Sequence, residues 1–216
     1  TFGATIRYTL DGSTPSATNG LVYAAPILID TSRVVCAVAF RHGWLPSATR
    51  THTYLYGLPA NRRQLPALSI VTAPGSLYGP SGIMETNPRN TTRHGIAWER
   101  PASIEWIRPE DNGGFQEDCG LRVAGGDYIR TCYGSTNVPP WNKYSFRLYF
   151  RGDYGAGRLR YPLFPDTGVD SFDVITLRAG MNDPVNPFLR DELLRRLAAD
   201  LGQPNCHGTF VNLFLN

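Results

Sequence analysis

A basic strand is the first feature of this sequence that could do chemistry. In the stretch NKYSFRLYFR, residues 142–151, the side chains alternate in type. Lys143, Ser145, Arg147, Tyr149 and Arg151 fall on one face of a strand, while Tyr144, Phe146, Leu148 and Phe150 fall on the other. A strand with an apolar inner face and three cations on its back has either a solvated outer face or an anion-binding one.

Two further groups of residues could contribute to an anion site. The strand-like run CGLRVAGG ends in Gly125 and Gly126, and a glycine-rich turn lets backbone N–H groups approach a phosphate. A more ordinary interpretation of this pair is a simple turn. Asp127 follows directly; it would repel a phosphate, or it could hold a metal ion and reverse that effect.

The strongest helix pattern covers residues 187–201. Asn186 suits the N-cap, Pro187 suits the first helical position, and Gly202 with Pro204 end the helix. Leucines at helical spacing form one apolar face, and Arg190 falls inside it. Arg190 therefore needs an anionic partner or a path to water; the candidate partners are Asp173, Asp183 and Asp191.

The bulk composition favours a strand-rich protein. The chain has 216 residues, 22 of them Gly and 17 Pro, and its formal net charge is +3. This charge is too small for a dedicated nucleic-acid binder, and no apolar run is long enough to span a membrane. The absence of an initiator Met and of a signal peptide suggests a piece of a longer polypeptide.

Cys119 and Cys132 flank the glycine-rich segment, and either a disulfide or two buried thiols fits their positions.

The chain divides into three parts by pattern. Residues 1–56 contain several short strand-like runs without a helix signal, which predicts a small β-sandwich. Residues 57–66, GLPANRRQLP, are a polar linker with prolines, and residues 67–216 form the larger domain. The first part resembles the chitobiase/β-hexosaminidase C-terminal-type module, through IRYTLDGSTPS, VYAAPILI and AVAFRHGWLPS. Such modules are spacers or binding accessories.

From Leu65 onward the chain resembles the CotH kinase-like family. The resemblance runs in order through LPALSIVTAPGSLYGPSGIM, WERPASIEWI, CGLRVAGG, KYSFRLYFR, YPLFPD, FDVITLRAG, FLRDELLRRLAADLG and HGTFVNLFLN. It implies an α+β, β-rich fold: the nucleotide-side lobe of an atypical protein kinase, with one main helix. The family uses ATP with Mg²⁺ or Mn²⁺ to phosphorylate Ser or Thr on secreted or surface proteins.

The resemblance suggests roles for five residues. Lys143 or Arg147 would bind nucleotide phosphates, and Gly125 with Gly126 would form the phosphate turn. Glu192 would hold that cation as a helix glutamate does in kinases, with Asp191 as the less favoured alternative. No residue here matches the family's catalytic aspartates, and Tyr144 replaces a second basic residue common before the strand serine.

We therefore expect these residues to form an inactive, weakly binding part of a secreted, periplasmic or cell-surface bacterial kinase. Its expected partners are the rest of a longer polypeptide or proteins at the cell surface. The alternative is a non-catalytic extracellular structural or interaction subunit that uses the same fold.

Overall fold

The computed structural model describes residues 2–134, 143–180 and 189–216, apart from the side chain of Tyr128. Strands outnumber helices among these residues, which confirms the expectation of a β-rich chain. The strands are β1 (Thr5–Thr9), β2 (Leu21–Val22), β3 (Arg33–Phe40), β4 (Arg50–Tyr54), β5 (Ala67–Thr72), β6 (Arg100–Ile107), β7 (Gly114–Ala124), β8 (Ser145–Tyr149), β9 (Leu159–Phe164), β10 (Val169–Phe172), β11 (Val174–Leu177) and β12 (Asn212–Leu215). The helices are α1 (Pro74–Leu77), α2 (Asp127–Cys132) and α3 (Arg190–Asp200), with short 3-10 turns at Ala60–Arg62, Asn90–Thr92, Ile96–Trp98 and Pro165–Thr167.

The described residues form two compact units. The first unit comprises the chain up to Pro74, Ala102–Asp118 and Val211–Asn216. It contains the antiparallel sheet β2–β1–β3–β4, and a second set of strands in the order β6–β5–β12, where β12 runs parallel to β5. All six residues of β5 are buried, as the apolar, β-branched run ALSIVT predicts. The predicted boundaries at residues 56 and 67 stay predictions.

Side-chain contacts inside the first unit join β4 to β5 and β6. Glu105 of β6 accepts hydrogen bonds from the backbone N–H of Thr53, at 2.5 Å, and lies 3.0 Å from Nδ1 of His52. The Thr53 hydroxyl donates to the hydroxyl of Ser69 at 2.8 Å. At the far end of β12, the Asn216 side chain bonds both the N–H and the carbonyl of Thr72.

The second unit comprises Gly75–Pro101 and Cys119–Phe210. Its central strands are the second half of β7, then β8, then β11, all antiparallel, with β9 and β10 as a separate hairpin. The inner face is apolar: Leu121, Val123, Phe146, Leu148, Phe150 and Leu159 are all at most 3% exposed. The candidate functional site described below lies on the outer face of these strands.

Helix α3 has the opposite orientation to the one that its sequence predicts. Leu193, Leu194 and Leu197 are between 48% and 59% exposed, whereas Glu192 is buried. The predicted packing of the leucine face was wrong in the described structure. Asp191 pairs with Arg178 just beyond β11, and Glu192 pairs within the helix. Arg190 is accordingly exposed, whereas Asn186, Pro187 and Asp183 lie outside the described residues.

Among the helices that the structure describes, none has both the length and the apolar character needed to cross a bilayer.

Candidate functional site

The two faces of β8 differ as the alternation predicts. Phe146 and Leu148 are buried in the core, and Arg147 is exposed on the opposite face. Tyr149 shares the face of Arg147 but is only 7% exposed. The last cation of the stretch has an anionic partner inside the protein, because Arg151 forms an ion pair with Glu99.

A second arginine lies beside Arg147 on the outer face. Arg122 of β7 is the direct cross-strand partner of Arg147, and Thr176 of β11 flanks it on the other side. Directly opposed like charges destabilise a strand pair. Two arginines in register therefore need a compensating anion or full exposure to water, and Arg122 is half-buried.

A third arginine is buried near the same face. Arg130 of α2 is 2% exposed, and its guanidinium donates to the carbonyls of Arg93, at 3.2 Å, and Val123, at 2.5 Å. Within the described ranges, no carboxylate lies at ion-pair distance from it. Desolvation lowers the pKa of Arg130, and the positive charge of Arg122 lowers this pKa further.

His94 connects Arg130 to the only carboxylate of the glycine turn. Its Nδ1 accepts a hydrogen bond from Arg130 Nη1 at 2.7 Å, and its Nε2 lies 3.3 Å from Asp127 Oδ1. An Nδ1 that accepts leaves the ring proton on Nε2, where it can donate to Asp127. The Asp127 side chain is 90% exposed.

Two buried donors on this surface have no acceptor. The Nε–H groups of Arg122 and Arg130 are inaccessible to water and have no hydrogen-bond partner among the described residues. Buried polar groups are almost always paired, so each such donor indicates a functional or structural demand. We name Arg122, Arg130 and Arg147 the arginine cluster.

The predicted glycines lie at the end of β7, next to this cluster. Gly125 has φ +129°, which side-chain-bearing residues rarely adopt, and an added Cβ would lie 3.2 Å from Ile129. Gly126 is the N-cap residue of α2, and no atom lies within 4 Å of where its Cβ would be. The turn is therefore open to solvent on the side of Gly126.

Glu192 lies in a different environment from the other predicted site residues. Its carboxylate accepts from Arg195 Nη2 at 2.6 Å and from Arg196 Nε at 2.9 Å. Burial raises the pKa of Glu192, but the hydrogen bonds from the two arginines together outweigh burial and hold this pKa below its usual value. Lys143 is exposed just before β8. The predicted pairing of Lys143 with Glu192 stays a prediction.

A cleft of about 570 Å³ lies along α3. Its walls include Glu192, Arg195 and Arg196 from the helix, with Phe164 and His207 opposite, their rings 6.0 Å apart. Of the five predicted site residues only Glu192 lines this cleft. Arg147 belongs to the arginine cluster, Gly125 and Gly126 follow the strand that carries Arg122, and Glu192 lines the cleft along α3.

The two predicted cysteines lie in different environments in the part of the chain that the structure describes. Cys119 and Cys132 are not joined by a disulfide there; the first is fully buried and the second half-buried. No group of three or more His, Cys, Asp or Glu side chains is placed to hold a metal ion within the described ranges.

Comparison with known proteins finds a match in the N-terminal part of the chain. Residues 1–54 match a protein family described as Fn3 associated. No curated protein and no solved structure matches the chain.

Sequence reasoning missed Arg122 and Arg130. Arg122 had a usable signal, because it alternates with Leu121 and Val123 and stands three residues before Gly125. Arg130 had none, since its burial depends on how α2 packs against the 3-10 turn at Asn90–Thr92, where Thr91 bonds its carbonyl.

Proposed function

We propose that the arginine cluster binds the phosphate groups of a nucleotide. The chain would then be the nucleotide-side part of a secreted CotH-like atypical protein kinase, preceded by a β-sandwich accessory module. The carrying observation is that Arg122 and Arg147 face each other in register across β7 and β8, with the charge of Arg130 close enough to be felt by Arg122. Charge-assisted hydrogen bonds from guanidinium groups are the usual means of binding phosphate.

The residues around the cluster fit a phosphate better than they fit a protein carboxylate. Three cationic side chains serve one surface, and the Asp127 carboxylate lies 3.3 Å from Nε2 of His94. The exposed turn at Gly126 adds space for a phosphate chain. ATP with Mg²⁺ or Mn²⁺ is the ligand that the family resemblance implies, and the metal would come with the nucleotide phosphates.

Phosphate binding, and not phosphoryl transfer, is the proposed activity of these 216 residues. Transfer requires a carboxylate that positions the nucleophile together with metal ligands. No residue of this sequence matches the family's catalytic aspartates. Binding is expected to be weak, with a Kd on the order of 1 mM, and to weaken with salt.

Calorimetry of the 216-residue protein with ATP and Mg²⁺ or Mn²⁺ tests the proposal. We expect weak binding at low ionic strength that Arg130→Met and Arg147→Ala each reduce at least fivefold, and no binding of adenosine. Arg160→Ala removes an exposed strand arginine outside the cluster and should leave the affinity unchanged. Lys143→Ala reports separately on the predicted strand lysine. Equal affinity in the wild type and the cluster variants would refute the proposal.

The second candidate function is an extracellular interaction subunit. The observation that favours it is the outward leucine face of α3, with Leu193, Leu194 and Leu197 about half exposed. Exposed apolar faces of this kind mark contact surfaces. Light scattering of the wild type and of Leu194→Glu distinguishes this reading: self-association that the substitution removes, in a protein inert toward ATP, would favour the interaction subunit.

A further inference from the structure

Two guanidinium groups contact the ring of Tyr149. The Cζ atom of Arg122 lies 4.7 Å from the ring centroid, and that of Arg151 lies 5.0 Å from it. Arg122 also donates from Nη2 to the Tyr149 hydroxyl. Cations over an aromatic face are attracted by its quadrupole, so the ring holds both side chains. Arg122 belongs to the arginine cluster, whereas Arg151 does not.

Arg151 is fixed in turn by a buried carboxylate. Its Nε and Nη2 atoms each donate to one oxygen of Glu99, both at 3.1 Å. The Tyr154 hydroxyl adds a third hydrogen bond to Glu99, at 3.2 Å. The Glu99 side chain has no exposed surface. A bidentate pair of this kind fixes the orientation of the guanidinium as well as its position.

A glycine provides the space for this arrangement. Gly120 is the cross-strand neighbour of Tyr149. A Cβ at this position would lie 2.5 Å from the Tyr154 ring and 2.9 Å from the Glu99 carboxylate. The carboxylate, the tyrosine ring and the strand therefore pack together only because residue 120 has no side chain.

We propose that Glu99 is a positioning residue for phosphate binding: through Arg151 and the ring of Tyr149, it holds the Arg122 guanidinium in place beside Arg147, where the phosphate binds. This inference rests on the proposed function, because it concerns the same phosphate site. It predicts the direction in which removal of Glu99 changes the affinity for phosphate. By long-range electrostatics alone, removing a buried negative charge near the cluster should strengthen phosphate binding; if Glu99 acts by positioning, its removal should weaken binding.

Glu99→Gln is the first test. It keeps the shape of the side chain and removes its charge. We expect the Kd for inorganic phosphate, measured by calorimetry at low salt, to rise about tenfold, the effect of losing one well-oriented charge-assisted hydrogen bond. Asp170→Asn, which removes an exposed carboxylate from β10, is the matched control and should not weaken binding. An unchanged or tighter Kd in Glu99→Gln would overturn the proposal.

A double-mutant cycle separates positioning from a general structural effect. If Glu99 acts through Arg122, Glu99→Gln should have little effect on phosphate affinity in an Arg122→Lys background. Equal effects in both backgrounds would contradict the inference. Arg151→Lys tests the same series of contacts, from Glu99 through Arg151 and Tyr149 to Arg122, with the positive charge retained. It is expected to weaken phosphate binding about threefold, because a lysine cannot form the bidentate pair with Glu99. If circular dichroism shows that Glu99→Gln does not fold, Arg151→Lys replaces it as the test variant. An unchanged Kd for phosphate in Arg151→Lys would equally overturn the proposal.

A second readout does not depend on phosphate binding. The Arg122 Nε–H is buried, so its exchange with solvent, followed by NMR and assigned with Arg122→Lys, should be slow in the wild type. Glu99→Gln, or Arg151→Lys in its place, should accelerate this exchange. If the wild type binds no phosphate, the proposed function fails, and the exchange rates still decide the positioning role. Equal exchange rates in the wild type and the variant would overturn it.

Discussion

Replacing Arg147 with glutamate should stabilise the protein and abolish phosphate binding at the same time. Arg147 faces Arg122 directly across β7 and β8. A like-charge pair in this position destabilises a sheet, and an opposite-charge pair stabilises it by a similar amount of about 0.2–1 kcal/mol. Arg147→Glu converts one pair into the other. The free energy of unfolding should therefore rise by about 0.4–2 kcal/mol at low ionic strength.

Thermal unfolding with and without phosphate is the assay. For a chain of this length the expected rise in Tm is about 1–6 °C. Since Arg147 is exposed, the stabilisation should shrink as salt approaches 0.5 M, as a rough guide, because screening shortens the range of the interaction. Phosphate should raise the Tm of the wild type and not that of Arg147→Glu.

The matched control is Arg160→Glu, which makes the same charge change on exposed β9, where residue 160 faces Ser171. It should leave the phosphate-dependent shift in Tm intact. The reasoning would be refuted if Arg147→Glu lowered the Tm at low salt, or if phosphate stabilised this variant as much as the wild type.

Three further substitutions have definite expected results. Glu99→Gln should lower the free energy of unfolding by about 2–4 kcal/mol in urea titrations, since it breaks a buried ion pair whose arginine is partly exposed; a loss below about 1 kcal/mol would contradict the geometry. Gly120→Ala should cost about 1–3 kcal/mol by overpacking against Tyr154, and an unchanged stability would refute the predicted clash. Burial raises the pKa of Asp118 in the folded protein, so the fold favours the protonated carboxyl. This carboxyl therefore stabilises the fold below its unfolded-state pKa, and that stabilisation is lost as pH rises through its folded-state pKa. Asp118→Asn should therefore stabilise the protein at pH 7 but not at about pH 3, and the same gain at both pH values would argue against a titrating carboxylate.

The inner and outer faces of β8 could be predicted because strand geometry alone decides them. Alternation with a period of two assigned Phe146 and Leu148 to the core and Arg147 to the opposite face. The same rule would have found Arg122. The alternation of apolar and polar residues thus predicted which side chains share a face within one strand.

The ion pairs of the site could not be predicted in the same way. Glu99 and Arg151 are 52 residues apart, and nothing local distinguishes Glu99 from a surface glutamate. Helix α3 shows a related limit. Periodicity grouped its leucines on one face, but that face is about half exposed and Glu192 is buried instead. A periodic pattern defines a face, and the tertiary partners decide its direction.

The most direct test of the arginine cluster is an NMR titration with inorganic phosphate at low salt. The Nε–H resonances of Arg122 and Arg130 should shift together along one binding curve, whereas the exposed Arg160 should show at most a small, non-saturating change. Resonances of Arg122 and Arg130 that do not move, or that move only as Arg160 does, would contradict the account of this surface as a phosphate-binding site.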